Sequence, residues 1–234
     1  GRPINNVIQL EAGEKVSAIL AVRDFPEDQY VFFATAQGVV KKTQLSAFKN
    51  VRSQGIKAIA LKEGDSLVGV AKTAGQDDIM LFSNLGKAIR FNEYWERSND
   101  DDDIEMEDGD NTLVTDSASD AEEENGDTNN SKPDNGVRPS NRGSGGLRGM
   151  RLPKDGRIVI LITFALECEN SDLQVLTATT NGYGKRTPIA DYSRKGKGGQ
   201  GNIAINTGER NGELVAATLV TENDDLMLIT SGGV

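Results

Sequence analysis

The sequence predicts an all-β chain, a radial or stacked array of repeated antiparallel units, and three observations carry that expectation. An apolar run that closes in a turn recurs as FFATAQGVVKK, MLFSNLGKAIR, TATTNGYGKRT and MLITSGGV, with turn glycines Gly38, Gly86, Gly182 and Gly232. Their separations of 48, 96 and 50 residues set a unit of 48–50 residues with one copy roughly doubled. Asn181-Gly182 between two strand-like runs signals a hairpin, since a type I′ turn needs positive φ at both central residues. Finally, 26 glycines and only 5% aromatic residues suit short strands and tight turns better than a helical bundle.

Taken in order, residues 1–22 read as the second half of a truncated repeat, because GRPINNVIQLEAGEKVSAIL lies over GIKAIALKEGDSLVGV. Residues 23–30, with Asp24, Pro26, Glu27 and Asp28, form a turn-rich connector. The first complete repeat, 31–73, divides into a hairpin, a short link, a polar loop and a second hairpin. A second repeat covers 79–98 and resumes at 142–164, a third spans 174–220, and 226–234 begins another.

The intervening tract, 99–141, is acidic, rich in Asn, Ser and Gly, and nearly free of aromatic and β-branched residues. It is expected to be a disordered insertion, unable to bury enough surface to offset its ordering entropy. Residues 99–135 hold 15 Asp/Glu against one Lys, a local charge of −14 within a total of −10, so the rest of the chain carries +4. The remainder is therefore mildly basic.

Composition also narrows the chemistry. With no histidine, the usual general base and the commonest metal ligand are both missing. One cysteine, Cys168, forms no internal disulfide. No run of 18 apolar residues signals a membrane span. A start at Gly1 without Met, and a last repeat that stops in mid-hairpin, suggest a piece of something longer. No calcium loop of correct spacing occurs around Asp108-Gly109-Asp110, and Gly184-Lys185 is followed by Arg where a P-loop requires Ser or Thr.

Two basic features remain. Bases flank each turn glycine: Lys41 and Lys42, Lys87 and Arg90, Lys185 and Arg186. Corresponding positions of successive units share a face, so these bases are expected to line one edge of the array. The competing reading is that they only blunt exposed strands. A Gly-rich basic loop follows each first hairpin: NVRSQGIK with Arg52 and Lys57, SNRGSGGLR with Arg142 and Arg148, SRKGKGGQG with Arg194, Lys195 and Lys197. Glycine lets backbone approach a phosphate and Arg or Lys neutralises it.

ATAQGVVKKT, LFSNLGKAIRF and above all TATTNGYGKRT resemble the C-terminal domain family of bacterial DNA gyrase A, over everything outside residues 99–141. The resemblance implies a propeller-like β-pinwheel of four-stranded antiparallel blades that exchange strands, with double-stranded DNA wrapped around a basic rim. It implies as partners the rest of gyrase A together with gyrase B, and no membrane. It places ATP, Mg and the catalytic residues elsewhere in a cytoplasmic, nucleoid-associated type II topoisomerase, and no cofactor or catalytic residue in this chain. SRKGKGGQG resembles the family's basic box in composition, though not in residue order. The acidic tract departs from the usual pattern; held within roughly 35 Å of its anchors, it would compete with DNA for the bases. The residues themselves also admit a protein-binding propeller, the related domain of topoisomerase IV, or a β-array enzyme that works through carboxylates.

Overall fold

A computed structural model describes residues 10, 13–50, 52, 55–96, 136–170 and 172–233. The strands are β1 (Tyr30–Thr35), β2 (Val39–Gln44), β3 (Leu67–Thr73), β4 (Asp78–Ser83), β5 (Lys87–Asn92), β6 (Leu147–Arg148), β7 (Ile158–Phe164), β8 (Gln174–Thr179), β9 (Gly184–Pro188), β10 (Asn202–Ile203) and β11 (Leu214–Val220). They form three antiparallel sheets, ordered β3-β1-β2-β6, β10-β5-β4-β7 and β11-β8-β9.

Alternation along the strands builds the core. Successive side chains of a strand point to opposite faces, and here both faces are covered. Phe32 and Ala34 turn from the first sheet toward Ile79, Leu81, Ile89 and Phe91 of the second. On the second sheet's other face, Met80 and Phe82 pack with Val175, Ile189 and Leu214 of the third repeat. Val31 and Phe33 turn the opposite way, onto Leu20, Val22 and Phe25. The sheets thus stack face against face in chain order, and β4, buried at all six positions, lies at the centre.

Each hairpin closes by the same device. The N–H groups of Gly38, Gly86 and Gly182 donate to the carbonyls of Thr35, Ser83 and Thr179 at 3.0 Å in every case. Glycine is therefore the fourth residue of the turn, with φ of +83°, +77° and +81°. The expected type I′ turn places glycine third, so the hairpins stand where expected while their turn differs.

The second half of each repeat departs from the hairpin read off the residues and follows the strand exchange that the resemblance implies. Its two strands do not pair as a hairpin. β6, from the second repeat, pairs with β2 of the first, while β7 stays with β4 of its own repeat. β10, from the third repeat, likewise pairs with β5 of the second, while β11 stays with β8. The second and third repeats each lend a short strand to their predecessor, and the arrangement is a strand-exchanged β-pinwheel.

Glycine makes that exchange possible. The Gly38 carbonyl accepts the N–H groups of Gly149 and Met150, and the Gly86 carbonyl accepts those of Ala204 and Ile205. A Cβ on Gly86 would collide with the Ile205 carbonyl oxygen, whereas one on Gly182 meets nothing within 4 Å.

Most of the tract expected to be a disordered insertion lies outside the described residues. Its last part does not behave as an insertion. Val137 is fully buried in the core between the first two sheets, and its N–H donates to the Glu93 carbonyl. One β-branched residue among polar neighbours is too weak a signal to mark where a fold resumes.

Gly86→Ala and Gly182→Ala separate the two demands on the turn. Gly182→Ala should cost about 1–2 kcal/mol for the left-handed conformation alone. Gly86→Ala should cost about 1–3 kcal/mol more, because the lent strand must move. Urea unfolding measures both, and equal losses would mean that the lent strand does not depend on this close approach.

Candidate nucleic-acid interface

The bases that follow the turns do not all lie on a free edge. Lys41, Lys42 and Arg90 are 1%, 2% and 3% exposed, so the expectation that they line a phosphate-binding rim is corrected. A charge so deeply buried survives only with partners, and the partners follow a rule. Lys42 Nζ donates to the backbone carbonyl of Glu93 at 2.8 Å and lies 3.7 Å from its carboxylate. Arg90 Nη1 donates to the backbone carbonyls of Ile189, at 3.2 Å, and Tyr192, at 3.0 Å. Glu93 and Ile189 each stand seven residues after their own turn glycine, and each base stands four after its own. The base of one repeat grips the same carbonyl position of the next.

Within its own repeat each base leans on the start of the first strand. Lys42 sits 4.9 Å from the Tyr30 ring centroid, a cation–π contact. Arg90 meets Asp78 through Nε at 2.7 Å and Nη2 at 2.5 Å. Asp78, fully buried, also receives Arg194 Nε at 3.0 and 2.9 Å and Asn92 Nδ2 at 2.8 Å. Arg194, expected as a loop base for DNA, is thus tied by its Nε to an interior carboxylate, its side chain 35% exposed.

Burial acts on the Lys42–Glu93 pair from both sides. It lowers the Lys42 pKa, against the pull of the Glu93 charge, and raises that of Glu93, against the pull of Lys42. Thr73 Oγ1 and the N–H groups of Gly75 and Asp77 donate to the same carboxylate.

Lys41 holds the loops. Its ammonium donates to the carbonyls of Ala58 at 2.8 Å and Ser144 at 3.1 Å, and also to that of Arg142. Desolvation, then the nearby Lys57 and Arg142 charges, lower its pKa from 10.5 to about 8. Backbone bonds continue the path: Ala60 N–H to Ser144 at 3.0 Å, Gly198 N–H to Gly149 at 2.8 Å and Arg151 N–H to Gly199 at 2.8 Å. The three Gly-rich loops therefore run side by side, each tied to the next.

Along this path Arg52, Lys57, Arg148 and Lys195 are exposed, and Arg142 and Lys197 half-buried. Arg52, Lys57 and Arg142 share one open recess. Lys185 and Arg186 are exposed on β9, and Lys87 is half-buried on β5 opposite Ile203. Sequence reasoning missed Asp78 and Glu93, the carboxylates that oppose the buried bases. A signal for Asp78 was present, since it heads the otherwise apolar run DIMLF and a buried acid there demands a cation.

The chain matches the family model described as DNA gyrase C-terminal domain, beta-propeller, over residues 29–74, 77–94, 135–164 and 174–221. It is 78% identical over 236 residues to the DNA gyrase A protein of Neisseria gonorrhoeae, covering 100% of this chain and 25% of that protein. It is 44% identical over 243 residues to the DNA gyrase A protein of Aeromonas salmonicida, with the same coverage. The chain spans about a quarter of the length of these curated relatives. Among solved structures it resembles the C-terminal domain of DNA topoisomerase IV, with a TM-score of 0.69 at 20% identity over 95% of this chain and 55% of that one. It also resembles a DNA gyrase A C-terminal domain, with a TM-score of 0.67 at 22% identity over 95% and 59%. At those identities the structures establish the fold, and the sequence relatives favour gyrase over topoisomerase IV.

Lys41 gives the assembly a distinctive pH response. Between about pH 8 and 10.5 the unfolded chain keeps a proton on Lys41 that the folded chain has lost. The unfolded state then binds more protons, so stability rises with pH in that window. Lys41→Met should remove this part of the rise in urea midpoints measured across the window. An identical slope in both proteins would contradict the lowered pKa.

Proposed function

The chain belongs to the DNA gyrase C-terminal domain, beta-propeller family, and from that premise we propose that it binds duplex DNA along its three joined basic loops and bends it around the array. The observation that carries this reading is the continuous run of loop bases, from Arg52 and Lys57 through Arg142 and Arg148 to Lys195 and Lys197. Such a run suits phosphates and offers little for reading base edges, so preference would come from how readily a sequence bends. Bending a 20–30 bp stretch costs roughly 1–6 kcal/mol, which several spaced phosphate contacts can offset. Lys185 shares a recess with Lys195 and would extend the contact, with Arg186 and Lys87 as further candidates. Lys41, Lys42 and Arg90 have no place in the DNA contact, because their charges already face interior carbonyls, carboxylates or rings.

Within a complete protein this domain would serve negative supercoiling by a type II topoisomerase in the cytoplasm. The remainder of gyrase A, together with gyrase B, would supply cleavage and ATP hydrolysis with Mg. The acidic residues at 99–135 would compete with DNA for the same bases at high effective concentration.

A duplex titration at several salt concentrations tests the contact. Replacing Arg52 and Lys57 by Ala should lower the slope of log K against log salt by up to about 0.9 per lost phosphate contact. Lys42→Met should destabilise the chain and leave that slope alone. Closing a nicked circle with ligase in the presence of the chain should shift the linking number if DNA is wrapped. A slope that responds to Lys42→Met as it does to Arg52 and Lys57, or an unshifted linking number, would contradict the proposal.

A further inference from the structure

Between the second and third sheets lies a cavity of about 130 Å³. A water molecule occupies about 30 Å³ of liquid volume, so the space admits one small polyatomic ion or a few waters. Lys185, Lys195, Thr187, Tyr192, Ser193 and Asp191 are among the residues that line it. Thr187 and Tyr192 are 8% and 9% exposed; their hydroxyls face each other closely enough for Thr187 to act on the Tyr192 phenol, but neither completes a well-formed hydrogen bond. Buried hydroxyls are normally satisfied, and a pair with only each other at hand still has a donor to spare.

The repeat supplies an internal comparison. Lys185 and Thr187 stand three and five residues after Gly182; the same positions after Gly38 hold Lys41 and Thr43, whose hydroxyl is also without a partner, and after Gly86 they hold Ile89 and Phe91. Those two side chains are 1% and 0% exposed and belong to the apolar core between the first and second sheets. Where one junction is filled with hydrocarbon, the next has an ammonium and a hydroxyl around a space.

We infer that this cavity seats one phosphate group, held by the hydroxyls of Thr187 and Tyr192 and the ammonium groups of Lys185 and Lys195. Hydroxyls donate to phosphate oxygens and two lysines balance its charge, while the Asp191 carboxylate works against it. Burial raises the Tyr192 pKa, opposed by the Thr187 hydroxyl and aided by Asp191, which keeps the phenol protonated as a donor. The phosphate is either free or part of a DNA backbone, and the second source rests on the DNA reading above.

The test combines two variants and two probes. Thr187→Val with Tyr192→Phe removes only the hydroxyls, and Lys185→Gln with Lys195→Gln removes only the charges. Losing an unmet buried hydroxyl does not harm folding in itself, and Thr187→Ser should retain binding. With duplex DNA, the hydroxyl variant should bind roughly three- to tenfold more weakly. Its salt slope should be unchanged, because neutral groups release no counterions. The lysine variant should lower the slope. With inorganic phosphate alone, amide NMR signals of Thr187 and Tyr192 should shift saturably in the wild-type chain and not in the hydroxyl variant. Phosphate shifts without duplex binding would keep this site and overturn the DNA reading. Duplex binding untouched by the hydroxyl variant, with no saturable phosphate shift, would make the cavity a water pocket and overturn the site.

Discussion

The grip of a buried base on a carbonyl of the next repeat is the constraint on which this architecture depends. Arg90 reaches across the second junction to Ile189 and Tyr192, and Lys42 reaches across the first to Glu93. Apolar packing between sheets is strong but poorly directional, and by itself it allows neighbouring sheets to slide. A guanidinium held by Asp78 on one side and two carbonyls on the other permits one register. Removing one partner of such a buried pair typically costs about 3–5 kcal/mol, because the other charge is left without compensation. The lent strands β6 and β10 are only two residues long and contribute few ladder bonds. Backbone bonds next to them help to hold the loops from which they come: the N–H groups of Ser140 and Lys195 donate to the backbone carbonyls of Lys42 and Arg90.

A division of labour follows. Lys41, Lys42 and Arg90 on the inner strands serve assembly, as does Arg194, whereas Arg52, Lys57, Arg148 and Lys195 on the Gly-rich loops are exposed. The two sets meet at Lys41, whose ammonium gathers carbonyls from the first and second loops and so sets Lys57 and Arg142 close together. Like charges held at such a distance repel unless something neutralises them, and Lys41 feels both. A polyanion laid across the loops would relieve that repulsion, which ties the interior electrostatics to the proposed ligand.

Much of this was legible in the sequence, and the rest had physical reasons to stay hidden. The spacing of Gly38, Gly86 and Gly182 reported the repeat because a left-handed turn position favours one residue type each time it recurs. The apolar runs VFFA and IMLF reported strands, and their continuity fits cover on both faces. An apolar run does not say which strand lies beside it, so the exchange of β6 and β10 came from the resemblance and not from the residues. Lys41, Lys42 and Arg90 looked like exposed strand bases because most of their partners lie 51 to 103 residues away. The polar cavity at Thr187 was equally silent until the third repeat could be laid over the second. At the loops the reading fared better: composition alone singled out the segments that the fold brings side by side.

Residue-resolved lysine labelling tests the central division between assembly bases and loop bases in one experiment. Acetylation of the native chain, read by mass spectrometry with and without duplex DNA, should leave Lys41 and Lys42 unmodified in both conditions. Lys57 and Lys195 should react readily in the absence of DNA and become protected in its presence. Ready labelling of Lys42 in the native chain, or loop lysines that react equally with and without DNA, would contradict the account.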